Sequence, residues 1–318
     1  MTDLHWRPLT NADAQSSADL LNEIETVDRI GEHYVAADTL QELIDPFSDL
    51  ERASLAVFDG DRMVGYMKTR YKQHATDVHR VFLDGGVDPA YRRRGLGTRL
   101  IEAGIEAAKT VHALHHPALK LAVDIHKAEK IAGTSELFRA HGFTPARYFQ
   151  WMTHPLGGGS APVPDGFAAE RWTAENDEDF RLVRNESYLD HWGATPVSAA
   201  AWRHKFANHT MQPEISFLLR DKETGAPASL VLTLSWAADT EATGIREAHF
   251  MVVGTRPGYR NRGLASAALG GALRAAAEHG FHQASASVDS ASAQGAPGIF
   301  RRAGFSGDER YVRWALNL

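Results

Sequence analysis

Two short segments carry residue types arranged to hold a phosphate. Arg92-Arg93-Arg94-Gly95-Leu96-Gly97 and Arg260-Asn261-Arg262-Gly263-Leu264-Ala265 share the spacing Arg-x-x-Gly-x-Gly/Ala. Each lies between a strand-like apolar run and an amphipathic helical pattern. The N–H groups of a helix's first turn have no partner within the helix, and the helix dipole adds positive potential there. Small residues at Gly95, Gly97, Gly263 and Ala265 let the backbone come close to phosphate oxygens. The arginines add charge at the rim. Other phosphate patterns fit less well. Gly-x-x-x-x-Gly-Lys-Ser/Thr is absent, and Leu100 stands where a dinucleotide fingerprint needs its third glycine.

The loops belong to a longer repeat. Gly86–Gly97 matches Gly254–Ala265 at an offset of 168 residues, and Leu137–Phe143 matches Ile299–Phe305 at an offset of 162. Repeats of this length mean duplicated domains. The stretch Pro155–Gly166 is rich in Gly and Pro and reads as a linker with a boundary near Ser160. The expected domains are 1–158 and 159–318, and 318 residues suit about two domains.

The elements that must position each loop read in the same order in both halves. In the first, helical spacing covers 12–29 and 37–44, and strands are expected at 54–58, 63–71 and 81–87. A helix over 94–111 follows, with Leu96, Leu100, Ile101, Ile105 and Ala108 on one face. A strand at 119–124, a helix at 131–141 and a last strand at 148–153 complete the half. The second half expects strands at 215–220, 229–236, 248–254, 284–289 and 311–316, with helices at 264–279 and 297–303. The fold class is α/β, a mixed sheet formed twice.

Bulk properties exclude several functions. Hydrophobic residues make up 43% and charged residues 23%, so the chain is globular rather than disordered. A net charge of −6 argues against general nucleic-acid binding. There is no cysteine, hence no disulfide, thiolate metal site or cysteine acyl-enzyme. No apolar run approaches the ~18 residues of a membrane span, and Met1–Thr10 lacks a signal pattern. A cytoplasmic protein is expected. Among sixteen histidines, His112, His115 and His116 cluster, but no His-Glu-x-x-His occurs and no metal is expected.

With these residues in view, the chain resembles the GNAT superfamily of N-acetyltransferases over nearly its whole length, in two copies. Its two-domain plan is similar to that of the mycothiol synthase-like members. The resemblance rests on the two Arg-x-x-Gly-x-Gly/Ala loops and on the later aromatic-x-x-x-Gly-Phe segments. It implies acetyl-CoA as acyl donor, direct transfer to an amine, and a splayed pair of strands holding the cofactor. The pantetheine arm would lie along Gly85 and Val87, and along Val253 and Thr255. The pyrophosphate would meet Arg92, Arg93, Arg94, Gly95, Gly97 and Thr98, and Arg260, Asn261, Arg262, Gly263, Ala265 and Ser266.

Direct transfer needs a base for the ammonium. Glu247 and His249 alternate onto one face of the strand before the second loop, and His249 falls where the resemblance implies a base. The matching position in the first half is Val81, with Asp84 on the other face. Catalysis is therefore expected in the second half, with His249 and Glu247. Many family members place a tyrosine acid in the late helix; Phe138 and Phe300 stand there. His191, Trp192 and Trp202 suit a small-molecule acceptor pocket. In the first half, Glu25, Asp28, His33 and Tyr34 are the equivalent set and favour a cationic amine. Alternatives are a non-catalytic acyl-CoA sensor and a protein-amine acetyltransferase.

Overall fold

The structure is a computed structural model that describes residues 4–157, 161–292 and 295–318. The boundary expected near Ser160 lies outside the described residues. The chain divides into two compact units, Met1–Tyr148 with Arg310–Leu318, and Phe149–Glu309.

The first unit begins with β1 (His5–Arg7), α1 (Ala14–Asp28), α2 (Ala36–Leu43) and α3 (Leu50–Ala53). β2 (Ser54–Asp59), β3 (Arg62–Tyr71) and β4 (Val78–Val87) follow as an antiparallel meander. The phosphate loop leads into α4 (Leu96–His115), then β5 (Lys120–Ala128), α5 (Thr134–Ala140) and β6 (Thr144–His154), which runs across the boundary between the units. β4 and β5 are parallel and pair from Val78↔Lys120 to Phe82↔Asp124. Beyond Phe82, β4 continues to Val87 and β5 to Ala128 without further paired residues between them. This is the splay that the family resemblance implies. Leu100, Ile101, Ala108 and Val111 of α4 pack with Met67, Val81 and Leu83 in one core, as the helical spacing predicts.

The second unit contains β7 (Phe167–Arg171), α6 (Asp177–Ser187), α7 (Ala199–Phe206), β8 (Phe217–Asp221), β9 (Pro227–Leu234) and α8 (Ala237–Thr243). β10 (Glu247–Thr255) leads through the second loop into α9 (Leu264–Glu278), β11 (Gln283–Asp289) and α10 (Ala296–Arg302). The last strand, β12 (Arg310–Asn317), belongs to the first unit. β10 and β11 are again parallel and pair from Glu247↔Gln283 to His249↔Ser285.

The units depart from the contiguous halves 1–158 and 159–318 in one respect. β12 pairs antiparallel with β5, from Tyr311↔Ala128 to Asn317↔Ala122. In the second unit it is the Phe149–His154 part of β6 that pairs with β11. The C-terminal strand therefore completes the first unit's sheet, and β6 completes the second's. Each of these two strands follows the same helix–Gly–Phe segment, so each could serve either sheet. Pairing between strands so far apart in the chain leaves no local mark in sequence.

Candidate active site

The two loops adopt one backbone conformation. Arg93 (φ 61°) and Gly95 (φ 86°) are left-handed in the first; Asn261 (φ 63°) and Gly263 (φ 77°) are left-handed in the second. A left-handed non-glycine residue is uncommon. Its recurrence at the same place in both loops marks a concave turn whose N–H groups converge, a form suited to anions. Arg92 closes the first loop: its Nε donates to the Val87 carbonyl at 3.2 Å, and its Nη atoms donate to Asp28 at 2.7 and 2.8 Å. Arg260 does the same in the second, with Nε to the Thr255 carbonyl at 3.4 Å and Nη1 to Asp190 at 2.7 Å. Each arginine thus ties its loop to the helix-end region that faces the strand.

The first unit holds a cavity of about 620 Å³. Arg92, Arg93, Gly95, Gly97 and Thr98 line its loop end, Gly85, Gly86 and Val87 line the β4 side, and Ile125 to Ala128 line the β5 side. The sequence-predicted cofactor residues of the first half, except Arg94, therefore come together on one continuous wall. A Cβ added at Gly85 would lie 2.4 Å from the Tyr66 carbonyl oxygen, so glycine is what lets β3 and β4 run this close beside the cavity. The volume lies within the range of small-molecule sites.

Asp84, its side chain half exposed, stands on the cavity wall, with Glu32, Tyr34, Glu42, Tyr66, His126, Lys127 and Tyr311. Lys127 Nζ donates to Asp84 Oδ1 at 3.4 Å, Gly85 N–H donates to the same oxygen at 2.9 Å, and Tyr66 is hydrogen-bonded to the Asp84 side chain. Burial pushes the Asp84 carboxyl up, but Lys127, Lys68 and the Gly85 N–H outweigh it and hold it below its ordinary value. Tyr34 donates to Glu32 at 2.7 Å, and Lys68 donates to Glu42 at 2.7 Å. Burial first, then the nearby carboxylates, push the Tyr34 and Tyr66 phenols well above 10, so both remain proton donors. Burial, with Arg313 and Lys127 adding to it, pushes His126 down to about 3, so it is neutral at pH 7.

The sequence placed Asp84 on the other face from Val81 and gave it no role; Glu32, Glu42, Tyr66, Lys127 and Tyr311 did not stand out in it. One signal was present: Tyr66, Lys68 and Asp84 alternate on the face of β3–β4 opposite the α4 core, with Lys68 directly across from Asp84. Tyr311 carried no such signal, because β12 was expected in the other half.

In the second unit the predicted catalytic pair is linked by hydrogen bonds, and its histidine is buried. His249 is 5% exposed; Trp151 stacks on it with ring centroids 4.9 Å apart, and the Trp236 ring meets it at a tilt, 5.8 Å away. Its Nδ1 is 2.8 Å from Ser285 Oγ, which donates to Glu247 Oε1 at 2.5 Å. Burial, with a smaller effect from Lys205, pushes His249 down to about 4. The strand alternation is as expected, but Ser285 joins the two side chains and the indoles cover the imidazole. Trp202, expected at an acceptor pocket, is a core side chain at 1% exposure whose Nε1 donates to Asp177 at 2.8 Å. His191 Nε2 stands 3.7 Å from Asp289 at the end of β11. Trp192 is half-buried in the turn after α6. Val253, the counterpart of Gly85, has its carbonyl oxygen 3.4 Å from the Tyr188 hydroxyl, which donates to it. Among the second-loop residues, Arg262 lies over the Tyr259 ring, while Ala265 and Ser266 sit in the first turn of α9.

The Acetyltransferase (GNAT) family model matches residues 18–132 and 174–305. The chain belongs to the GNAT family of acetyltransferases. It is similar to the mycothiol acetyltransferase of Clavibacter michiganensis subsp. michiganensis, with 26% identity over 271 residues and 82% of each chain covered. It is similar also to the mycothiol acetyltransferase of Propionibacterium freudenreichii subsp. shermanii, at 21% identity over 78% of this chain and 72% of that one. Among solved structures, a GCN5-related N-acetyltransferase from Sphaerobacter thermophilus shares the fold with a TM-score of 0.74 and 23% identity, covering 99% of this chain and 95% of that one. A tandem GNAT protein from the clavulanic acid biosynthesis pathway shares it with a TM-score of 0.71 and 17% identity, covering 99% and 98%. The GNAT protein is an N-acetyltransferase with two GNAT domains, and acetyl-CoA is its acyl donor. Among the described residues no helix is long and apolar enough to cross a membrane, and no group of His, Asp and Glu is placed to hold a metal ion.

Proposed function

We propose that the chain acetylates the amine of a small molecule in the cavity of the first unit. The observation that carries this reading is the continuity of that cavity, from the Arg92–Thr98 loop through the β4–β5 splay to the Asp84 carboxylate. The sequence favoured His249 and Glu247 in the second unit; the burial of His249 under the Trp151 ring moves the proposal to the first.

Acetyl-CoA, when bound, supplies a thioester carbonyl reactive toward an amine. Arg92, Arg93 and the loop amides hold the pyrophosphate end, and the bared edge of β4 holds the pantetheine arm. Asp84 accepts a hydrogen bond from the acceptor ammonium and anchors it; a free amine is the attacking form, and because Asp84 is held below its ordinary value it takes the proton only in passing and releases it to solvent. The nitrogen–carbon bond forms, the carbon–sulfur bond breaks, and the balance is one ammonium and one thioester giving an amide, a thiol and a proton. Phe138 offers no proton to the departing sulfur, whereas Tyr311 is a phenol on the β5 side of the same cavity. A thiol of pKa about 8.5 leaves with little assistance, so Tyr311 contributes a modest part of the rate.

The test is thiol release from acetyl-CoA over a panel of small amines, with the full chain and with Asp84→Asn. Saturable release that Asp84→Asn lowers about a hundredfold is expected. Absence of release with every amine, despite saturable binding of acetyl-CoA, contradicts the reading.

A further inference from the structure

The acceptor end of the first unit's cavity has its own chemistry. Beyond Asp84 it is walled by aliphatic side chains, Leu21, Ile24, Ile30 and Met67, and by the Tyr34 and Tyr66 rings. Its charged groups are four carboxylates, Glu25, Glu32, Glu42 and Asp84, against two ammonium groups, Lys127 and Lys68, which pair with Asp84 and Glu42. The formal sum is two negative charges. Asp84, Glu42 and Glu32 all act on the Tyr66 phenol, so these three stand near one another. The arginines on the cavity wall, Arg92 and Arg93, belong to its loop end, where the pyrophosphate is held. A negative sum favours a cationic ligand, and phenol rings add attraction for an ammonium group.

We infer that the acceptor is a primary aliphatic amine that enters as a cation and carries no carboxylate or phosphate, with its ammonium at Asp84 and its carbon chain along Leu21, Ile24 and Ile30 toward Glu32. This rests on the reading of the first unit as the site of transfer. Acetylation removes the positive charge. The carboxylates that gather the amine therefore hold the amide weakly, and product leaves the chamber that concentrated the substrate. A carboxylate at the far end of the acceptor would instead face Glu32 and Glu42, with Lys68 already paired to Glu42 at 2.7 Å.

The experiment uses the full chain, acetyl-CoA and three amines of equal length: n-pentylamine, 5-amino-1-pentanol and 5-aminopentanoate. Thiol release is followed for each, together with acetyl-CoA binding by calorimetry. The two cationic amines are expected to exceed 5-aminopentanoate at least tenfold in kcat/KM. Glu32→Gln is expected to raise the amine KM several-fold and leave the KM for acetyl-CoA unchanged. Equal or better use of 5-aminopentanoate overturns the inference and leaves the transferase reading standing. Binding of acetyl-CoA without thiol release from any of the three overturns both.

Discussion

The two units keep the same phosphate loop and differ in what stands over the strand beside it. In both, a left-handed pair and an arginine clamp shape the loop. In the first unit, the end of α1 presents Ile24 to Gly86, and Glu25, on the cavity wall, accepts from the Ile30 and Gly31 N–H groups at 2.9 and 2.8 Å. The Gly85 stretch of β4 is left facing a cavity. In the second unit the corresponding region packs Ser187 against Gly254, and Tyr188 puts its hydroxyl on the Val253 carbonyl. A peptide carbonyl on the cofactor strand that already accepts a hydrogen bond is less available to an incoming amide. The comparison teaches that a loop motif establishes a capacity to hold phosphate, while one side chain on a neighbouring helix decides whether the adjoining strand is accessible. It also explains why the loops, read alone, rank the two halves as equals.

The comparison can be broken at several points. The largest effect is expected from Asp84→Asn, which removes the proton acceptor of the open chamber. kcat should fall about a hundredfold, within the usual range for a general base, and steady-state thiol release checks it. His249→Gln, the matching change in the closed unit, should leave kcat within about threefold. A smaller effect is expected from Tyr311→Phe. Here kcat should fall no more than about tenfold with the KM for acetyl-CoA unchanged, and an unaltered kcat removes Tyr311 from the chemistry. Tyr188→Ala sharpens the contrast from the other side. In a chain whose first loop is blocked by Gly95→Asp, calorimetry should show the second unit binding coenzyme A several-fold more tightly once the Val253 carbonyl is released.

The smallest effect concerns stability and touches both units. Burial pushes His79 and His249 down to about 4 and His126 to about 3. In the unfolded chain these groups protonate near their ordinary value of about 6.5. Between about pH 6.5 and pH 4 the unfolded chain therefore binds more protons, and stability falls as pH drops through that window. Melting temperature should decline steadily from pH 7 to pH 4.5. His249→Gln should shallow the decline if its packing is kept, and an unchanged slope would show that His249 is protonated in the folded protein.

Much of the fold was legible in sequence because it is local. The helix with Leu100, Ile101 and Ala108 on one face became α4, beginning at Leu96 rather than 94, since Gly95 takes a left-handed turn before it. The strand runs became β2 to β5 and β8 to β11, with β5 extended to Ala128 along the splay. The loops held their predicted glycines at the turning positions. The exchange of β6 and β12 was not legible, because either strand satisfies either sheet edge and the choice is made by contacts across the chain. The chamber was not legible for a related reason. Asp84, Tyr66, Glu32, Glu42 and Lys127 come from β4, β3, the α1–α2 connection, α2 and β5, and beyond the shared β3–β4 face of Tyr66 and Asp84 no spacing links them. Glu247 and His249 drew notice because they lie close in sequence. The Trp151 ring that covers His249 comes from nearly 100 residues away.

The central claim is that turnover belongs to the first unit. Its most direct test replaces the left-handed glycine of each loop in turn, Gly95→Asp and Gly263→Asp, which places a carboxylate where a phosphate should sit and spares the chamber residues. Thiol release from acetyl-CoA is then measured with a saturating cationic amine, with melting temperatures to show that both variants are folded. Gly95→Asp should reduce kcat/KM for acetyl-CoA at least a hundredfold, and Gly263→Asp should leave it within about threefold. The reverse pattern, activity kept by Gly95→Asp and lost by Gly263→Asp, would place the chemistry beside His249 and contradict the claim.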